Sequence, residues 1–172
     1  IIVSAPGKRY PEDIKVTDLL QRCYDIAISD GDYKAVLDEV SSRYNEIIHG
    51  IEIEFPIDEE ISKIDTYLSE LKDSDPASAR DHILSRGEYL CAKILSEYLG
   101  FPFVDPEWCI CFDRDGRLNP GMTRRTMGAA LKPIHNAVIA GCYGADMDGI
   151  IHTFSRGGSD VTGSIAAAAI NA

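Results

Sequence analysis

The chain has 172 residues, 45% hydrophobic and 26% charged, which suits one soluble folded unit or part of one. A formal net charge of −11 and an isoelectric point near 4.7 argue against a surface for nucleic acid or anionic membrane, because phosphate binding needs clustered Lys and Arg. Five scattered cysteines, an odd number with no secretory leader, and no apolar run near the ~18 residues that cross a bilayer favour a reducing cytoplasmic setting without a disulfide framework.

In chain order, Ile1 to Val3 reads as a short buried strand, Ser4-Ala5-Pro6-Gly7 as its turn and Lys8 to Lys15 as a polar loop. A helix is expected from Thr17, with Leu19, Leu20, Cys23, Ile26 and Ala27 inward, Thr17 or Asp18 as N-cap and a break at Asp30-Gly31. Tyr33 to Ile48 and Asp58 to Leu71 repeat the amphipathic pattern, and their charged runs read as solvated faces. Ala77 to Leu99 is helical but carries Gly87 within Ser85-Arg86-Gly87-Glu88, costing ~1 kcal/mol relative to alanine, so a local reason is expected there.

Beyond Gly100, Phe101 to Val104 and Trp108 to Phe112 read as strands, ended by the turn at Asp113-Arg114-Asp115-Gly116. Thr126 to Asn136 then reads as a helix, Ala137 to Ala140 and Ile150 to Phe154 as strands, and Ser159 to Ala172 as the closing helix. Alternating strands and helices imply an α/β fold with a mostly parallel sheet. Because the chain opens on a strand-like Ile1-Ile2-Val3 and closes within an alanine-rich helix, a piece of a longer protein, cut at both ends, is expected.

The segment from His152 to Ala169 is the most informative, since Arg156-Gly157-Gly158 runs straight into a helix start at Ser159-Asp160. Adjacent glycines let backbone approach a ligand, a helix N-terminus favours anions, and an Arg fork grips a carboxylate or phosphate. An ordinary capped crossover with glycines for turn geometry remains open on these residues alone. Ligands gather beyond the carboxyl ends of parallel strands, so the loops Ser4 to Gly7 and Gly141 to Gly144 are further candidates. Neither a Walker A nor a G-x-G-x-x-G motif is present, Cys109 and Cys111 lack the second pair of a zinc site, and the four histidines lack zinc-helix spacing.

Together, Val3 to Lys8 (VSAPGK), Lys15 to Leu20 (KVTDLL), Ser85 to Asp105 and Thr153 to Ala167 (TFSRGGSDVTGSIAA) resemble the aspartate kinases of the amino acid kinase family, in the right order over essentially the whole chain. The resemblance implies a three-layer αβα sandwich, truncated at both ends, with residues 1–172 forming part of the catalytic domain. It implies transfer of the ATP γ-phosphoryl group to the β-carboxylate of L-aspartate, giving 4-phospho-L-aspartate for lysine, threonine and methionine synthesis.

The family's pattern puts Arg156 on a carboxylate of aspartate, Glu88 opposite its ammonium group, Thr17 and Ser159 as hydrogen-bonding groups, Ser4 beside the substrate and Asp160 as the catalytic aspartate. Magnesium is expected to ride on the ATP phosphates with no protein ligand assigned, and the full-length protein is expected to be a homo-oligomer. The family's Lys-Phe-Gly-Gly segment, its adenine-closing stretch and its ACT domains have no counterpart in this sequence, so the main ATP-binding segments lie outside it and little activity is expected of the chain alone. Another acceptor within the fold (glutamate, N-acetylglutamate or UMP) and a non-catalytic aspartate-binding module are the alternatives.

Overall fold

In a computed structural model that describes residues 1–71, 75–155 and 157–172, three short parallel strands lie in the order β1 (Ile2–Val3), β3 (Val138–Ala140), β2 (Phe103–Val104). Ile2 pairs with Ile139 and Val3 with Ala140 on one side of β3, and Phe103 pairs with Val138 on the other. Successive strand side chains point to opposite faces, so Val3, Phe103, Val138 and Ala140 share one face and Ile2, Val104 and Ile139 the other. Both faces are covered, which is why the strands are apolar at consecutive positions.

Helix α4 (Pro76–Leu99) packs Ala92, Leu95 and Leu99 on the first face, while α5 (Pro120–Leu131) and α6 (Gly158–Ile170) pack Met127, Ile165 and Ala166 on the second. The result is the expected three-layer αβα arrangement. Outside α4, helices α1 (Val16–Ala27), α2 (Lys34–Gly50) and α3 (Ile57–Ser69) bury their stripes in a larger apolar cluster built on Leu20, Val40, Tyr44, Ile64, Leu68 and Ile83. Asp75 starts α4 by accepting from the Ser78 N–H at 3.0 Å ahead of Pro76, and Gly100, at φ +64°, ends it.

Several sequence expectations shift. Trp108 to Phe112 is not a strand: Asp105 accepts from the Glu107 N–H and, with Pro106, winds Pro106–Trp108 into a 3-10 turn, leaving isolated bridges at Cys111 and Phe112. The helix expected from Thr126 starts six residues earlier, because Asn119 caps Pro120 through the Met122 N–H, and it ends at Leu131 just before Lys132-Pro133. Neither Thr17 nor Asp18 is an N-cap, since α1 begins at Val16 after an extended Lys15. A strand not anticipated, β4 (Tyr143–Ala145), follows β3 after two residues and pairs antiparallel with β5 (Ile151–Thr153).

Candidate functional site

Strands β1 and β3 end side by side, so Ser4-Ala5 and Gly141-Cys142 emerge at one edge of the sheet, held together by the Gly141 N–H on the Val3 carbonyl at 2.8 Å. The N-terminus of α6 is pressed against that edge. A Cβ added to Gly141 would lie 2.9 Å from Ser159 Cα, and one added to Gly158 would lie 2.6 Å from Cys142 Cα, so only glycine allows this approach at either position. Closeness there lets the hydroxyls of Ser4 and Ser159 meet at 2.6 Å.

Cys142 is the pivot of this contact. It sits in the left-handed region at φ +79°; its N–H donates to Thr162 Oγ1 at 3.2 Å, and its carbonyl accepts from the Phe154 N–H at 2.8 Å. The fully buried Thr162 hydroxyl in turn donates to the Gly158 carbonyl at 2.9 Å, which ties the strand-end loop to the first turn of the helix.

Glu88, on α4, lies near this edge, within electrostatic reach of Cys142 and hydrogen-bonded by the Ala5 backbone, and is only 7% exposed. Burial pushes its carboxyl up to about 7, against the pull of the backbone N–H groups of Glu88 itself and Ala5. Its charge is felt at Cys142, whose thiol is pushed up to about 11 by burial first and by Glu88 second. The neighbouring Gly87 answers the question the sequence raised: a Cβ there would meet Ala5 Cβ at 3.0 Å, with Leu20 and Thr17 Cγ2 at 3.4 and 3.7 Å. Helix α4 thus crosses the β1 loop and the start of α1 at its glycine, bringing Glu88 and Thr17 to the same edge. Tyr44 Oη clamps the crossing by donating to the Gly87 carbonyl at 2.6 Å.

The long loop between Ala5 and Lys15 is pinned from beneath by Arg43, which is 4% exposed and donates to Asp13 Oδ2 at 2.6 Å and to the carbonyls of Gly7 and Ile14 at 3.1 and 3.0 Å. Two arginines, Arg9 and Arg43, hold the Asp13 carboxyl well below the usual carboxylate range.

Of the residues singled out in the sequence, the fold gathers Ser4, Thr17, Glu88 and Ser159 around the carboxyl ends of β1 and β3. Asp160 stands exposed in the first turn of α6, with no side-chain hydrogen bond or ion pair among the described residues. Arg156 lies outside the described residues. Sequence reasoning passed over Tyr44, Cys142 and Thr162. Thr162 stands one helical turn beyond Gly158, a spacing that could have flagged a hydroxyl bonding back to that carbonyl. Cys142 lay within a loop already marked for its small residues, but nothing in its side chain announces a positive φ.

Among the described residues no group of three or more His, Cys, Asp and Glu side chains could hold a metal ion. Cys109 is buried with its thiol 3.4 Å from the Asp105 carbonyl, and Cys111 lies 3.5 Å from Thr126 Oγ1.

No model of a known protein family matches the chain. A curated relative, aspartokinase 3 of Bacillus subtilis, is 31% identical over 183 aligned positions that span all of this chain and 40% of that protein. Among solved structures, the aspartate kinase of Clostridium acetobutylicum matches all of this chain and 38% of its own, at 37% identity and a TM-score of 0.92. Escherichia coli aspartokinase III in complex with lysine and aspartate aligns with 99% of the chain and 40% of its own at 20% identity and TM-score 0.77. The same enzyme in complex with aspartate and ADP aligns with 91% and 38% at 19% identity and TM-score 0.73. These last two show the fold. The chain spans about two fifths of the length of the relatives it matches.

Proposed function

We propose that this chain, similar to aspartate kinases along its whole length, is the aspartate-binding part of such an enzyme, which phosphorylates the β-carboxylate of L-aspartate with ATP to give 4-phospho-L-aspartate. The observation that carries the reading is the pairing, across one strand-end cleft, of a buried carboxylate at Glu88 with a helix N-terminus bearing Ser159 and Asp160. A zwitterion with an extra carboxylate needs a negative group and an anion-favouring group held apart, and this cleft offers both.

Glu88 receives the substrate ammonium, whose charge draws the carboxyl back to its ionised form and repays its burial. Thr17 and Ser159 donate hydrogen bonds, Ser4 fixes the Ser159 hydroxyl, and Arg156 grips a substrate carboxylate as a planar fork. Asp160, exposed in the first turn of α6, is the catalytic aspartate of this reading. In phosphoryl transfer there is little covalent work for the protein, so positioning and charge stabilisation dominate. The nucleotide brings magnesium on its phosphates, and no residue of this chain is assigned to hold it. Use of the product in lysine, threonine and methionine synthesis, a cytoplasmic setting and a homo-oligomeric intact protein belong to the same proposal.

The test is Asp160→Asn in the intact protein. Asp160 is exposed in the first turn of α6 and does not cap it, so without a role in the reaction its change to asparagine would leave activity and melting temperature near wild type. A catalytic Asp160 instead leaves melting unchanged while kcat falls by about 10²–10³ with a modest change in the aspartate KM. Wild-type kcat in a folded variant sinks the catalytic assignment.

A further inference from the structure

On the far side of α4 from Glu88, a cleft of about 190 Å³ opens between α3 and α4. Its lining is polar at Glu60, Lys63 and Arg86 and apolar at Ile64, Tyr89 and Leu90. The charges do not balance. Glu60, only 5% exposed, accepts from both Lys63 Nζ and Lys93 Nζ at 2.8 Å through the same Oε1 atom, so two lysines share one carboxylate.

Arg86 adds a third cation. Its Nε and Nη2 groups reach only Ser85 Oγ, at 3.2 and 2.9 Å, and among the described residues it has no carboxylate within ion-pair distance. Glu107 feels its charge from farther away. The guanidinium lies 4.4 Å from the centre of the Tyr89 ring, and Lys93 Nζ lies 5.1 Å from the same ring. His82, stacked on Tyr67 at 4.0 Å, completes the wall; burial pushes its pKa down to about 4, so it is neutral at pH 7. Three cations against one carboxylate form a positive spot in a chain whose net charge is −11.

We propose that this cleft binds a small organic carboxylate with a short apolar body, its anionic end on Arg86 and Lys63 and its body against Ile64, Leu90 and Tyr89. The open edge of the guanidinium matches a carboxylate in plane, and stacking on Tyr89 holds that edge in one orientation before a ligand arrives. The small volume limits the ligand to a handful of heavy atoms, and the apolar wall favours a carboxylic acid over inorganic phosphate. This reading stands apart from the aspartate-kinase proposal: it uses the opposite face of α4 and none of the residues assigned to the strand-end cleft.

The experiment is a calorimetric titration of the intact protein with 3-methylbutanoate, its uncharged amide and inorganic phosphate. Saturable binding of the acid is expected, with the amide inert, phosphate weaker, and Arg86→Gln and Lys63→Gln each weakening the acid by at least about fivefold. Ser159→Ala should leave it unchanged. Absence of saturable binding, indifference to both cleft variants, equal binding of phosphate, or loss on Ser159→Ala would each overturn the proposal. Should Arg86→Gln fail to fold, Lys63→Gln decides alone, because Lys63 is 66% exposed and Lys93 still pairs with the Glu60 carboxylate when its ammonium is removed.

Discussion

The two halves of the molecule are held by opposite means. Helices α1 to α4 form a block locked by large apolar side chains, with Leu20, Tyr44 and Ile83 fully buried and Leu68 nearly so. At the carboxyl ends of β1 and β3, by contrast, two- and three-residue strands and glycines let backbones touch, and Gly141, Gly144 and Gly158 each have no room for a Cβ. In the first region stability comes from volume filled, and in the second geometry comes from volume left out. The two should therefore fail differently: the helical block by unfolding, the strand-end region by misplacing groups in a protein that still folds.

The largest effect is expected from Leu68→Ala, which removes a side chain 3% exposed in α3. A buried Leu→Ala change costs about 2–5 kcal/mol, and each kcal/mol lowers Tm by about 2–4 °C at this size. Chemical denaturation should show that loss while the aspartate KM of the surviving folded protein stays at the wild-type value. A changed KM would blur the division between the halves.

Glu88→Gln comes next and sharpens the comparison, because Glu88 is the charged group that the helical block lends to the cleft. Its folded pKa, about 7, lies above its ordinary 4.5, so between those values the native protein holds a proton that the unfolded chain has lost. The wild type therefore loses stability as pH rises through that window, and the penalty is complete above it. Glutamine has no such cost, so the variant should gain on the wild type by roughly 2–3 kcal/mol between pH 4.5 and 8 in the absence of aspartate. Bound aspartate should reverse the order above pH 7, since only the carboxylate can pair with the ammonium. Parallel melting curves against pH for the two proteins would remove Glu88 from this role.

Gly141→Ala tests the strand-end region directly. With Ser159 Cα 2.9 Å from the new methyl group and backbone on both sides, one element must move, at about 1–3 kcal/mol. The loss in kcat should exceed what that modest destabilisation implies, because Ser159 is carried by the element that moves. A variant as active as wild type but less stable would show that the close approach serves packing alone.

How much of this was readable in the sequence follows the same division. Helices α1 to α4 announce themselves by apolar stripes, and the awkward glycine in Ser85-Arg86-Gly87-Glu88 asked for a local reason, which the close contact with Ala5 supplies. Ser4, Glu88 and Ser159 could be proposed together only through the resemblance to the aspartate kinases, because nothing in their spacing brings positions 4, 88 and 159 to one place. The region of short strands was harder, since β4 has three residues and Gly144 interrupts its pattern, leaving too little periodicity to register. The turn at Pro106–Trp108 and the early start of α5 were set by Asp-Pro and Asn-Pro caps, whose signals are local and were outweighed by apolar runs nearby. Cys142 and Thr162 act through backbone contacts, which side-chain chemistry does not reveal.

The smallest expected effect belongs to Tyr44→Phe, and it falls on the seam between the two halves. Tyr44 is fully buried in the helical block, yet its hydroxyl donates to the Gly87 carbonyl, one residue from Glu88, at 2.6 Å. Phenylalanine keeps the ring and its packing and removes only that bond, so the stability loss should be about 0.5–1.5 kcal/mol. Were the bond purely structural, the aspartate KM would not move. If instead it holds the α4 crossing so that Glu88 faces the cleft, the KM should rise by less than about tenfold at unchanged kcat, because only the placement of a binding group is loosened. The pH dependence of aspartate binding then separates the two cases. Loosening at Gly87 admits water to Glu88, lowers its pKa toward the ordinary carboxylate value, and shifts the onset of binding to lower pH; a structural bond leaves that profile where it is.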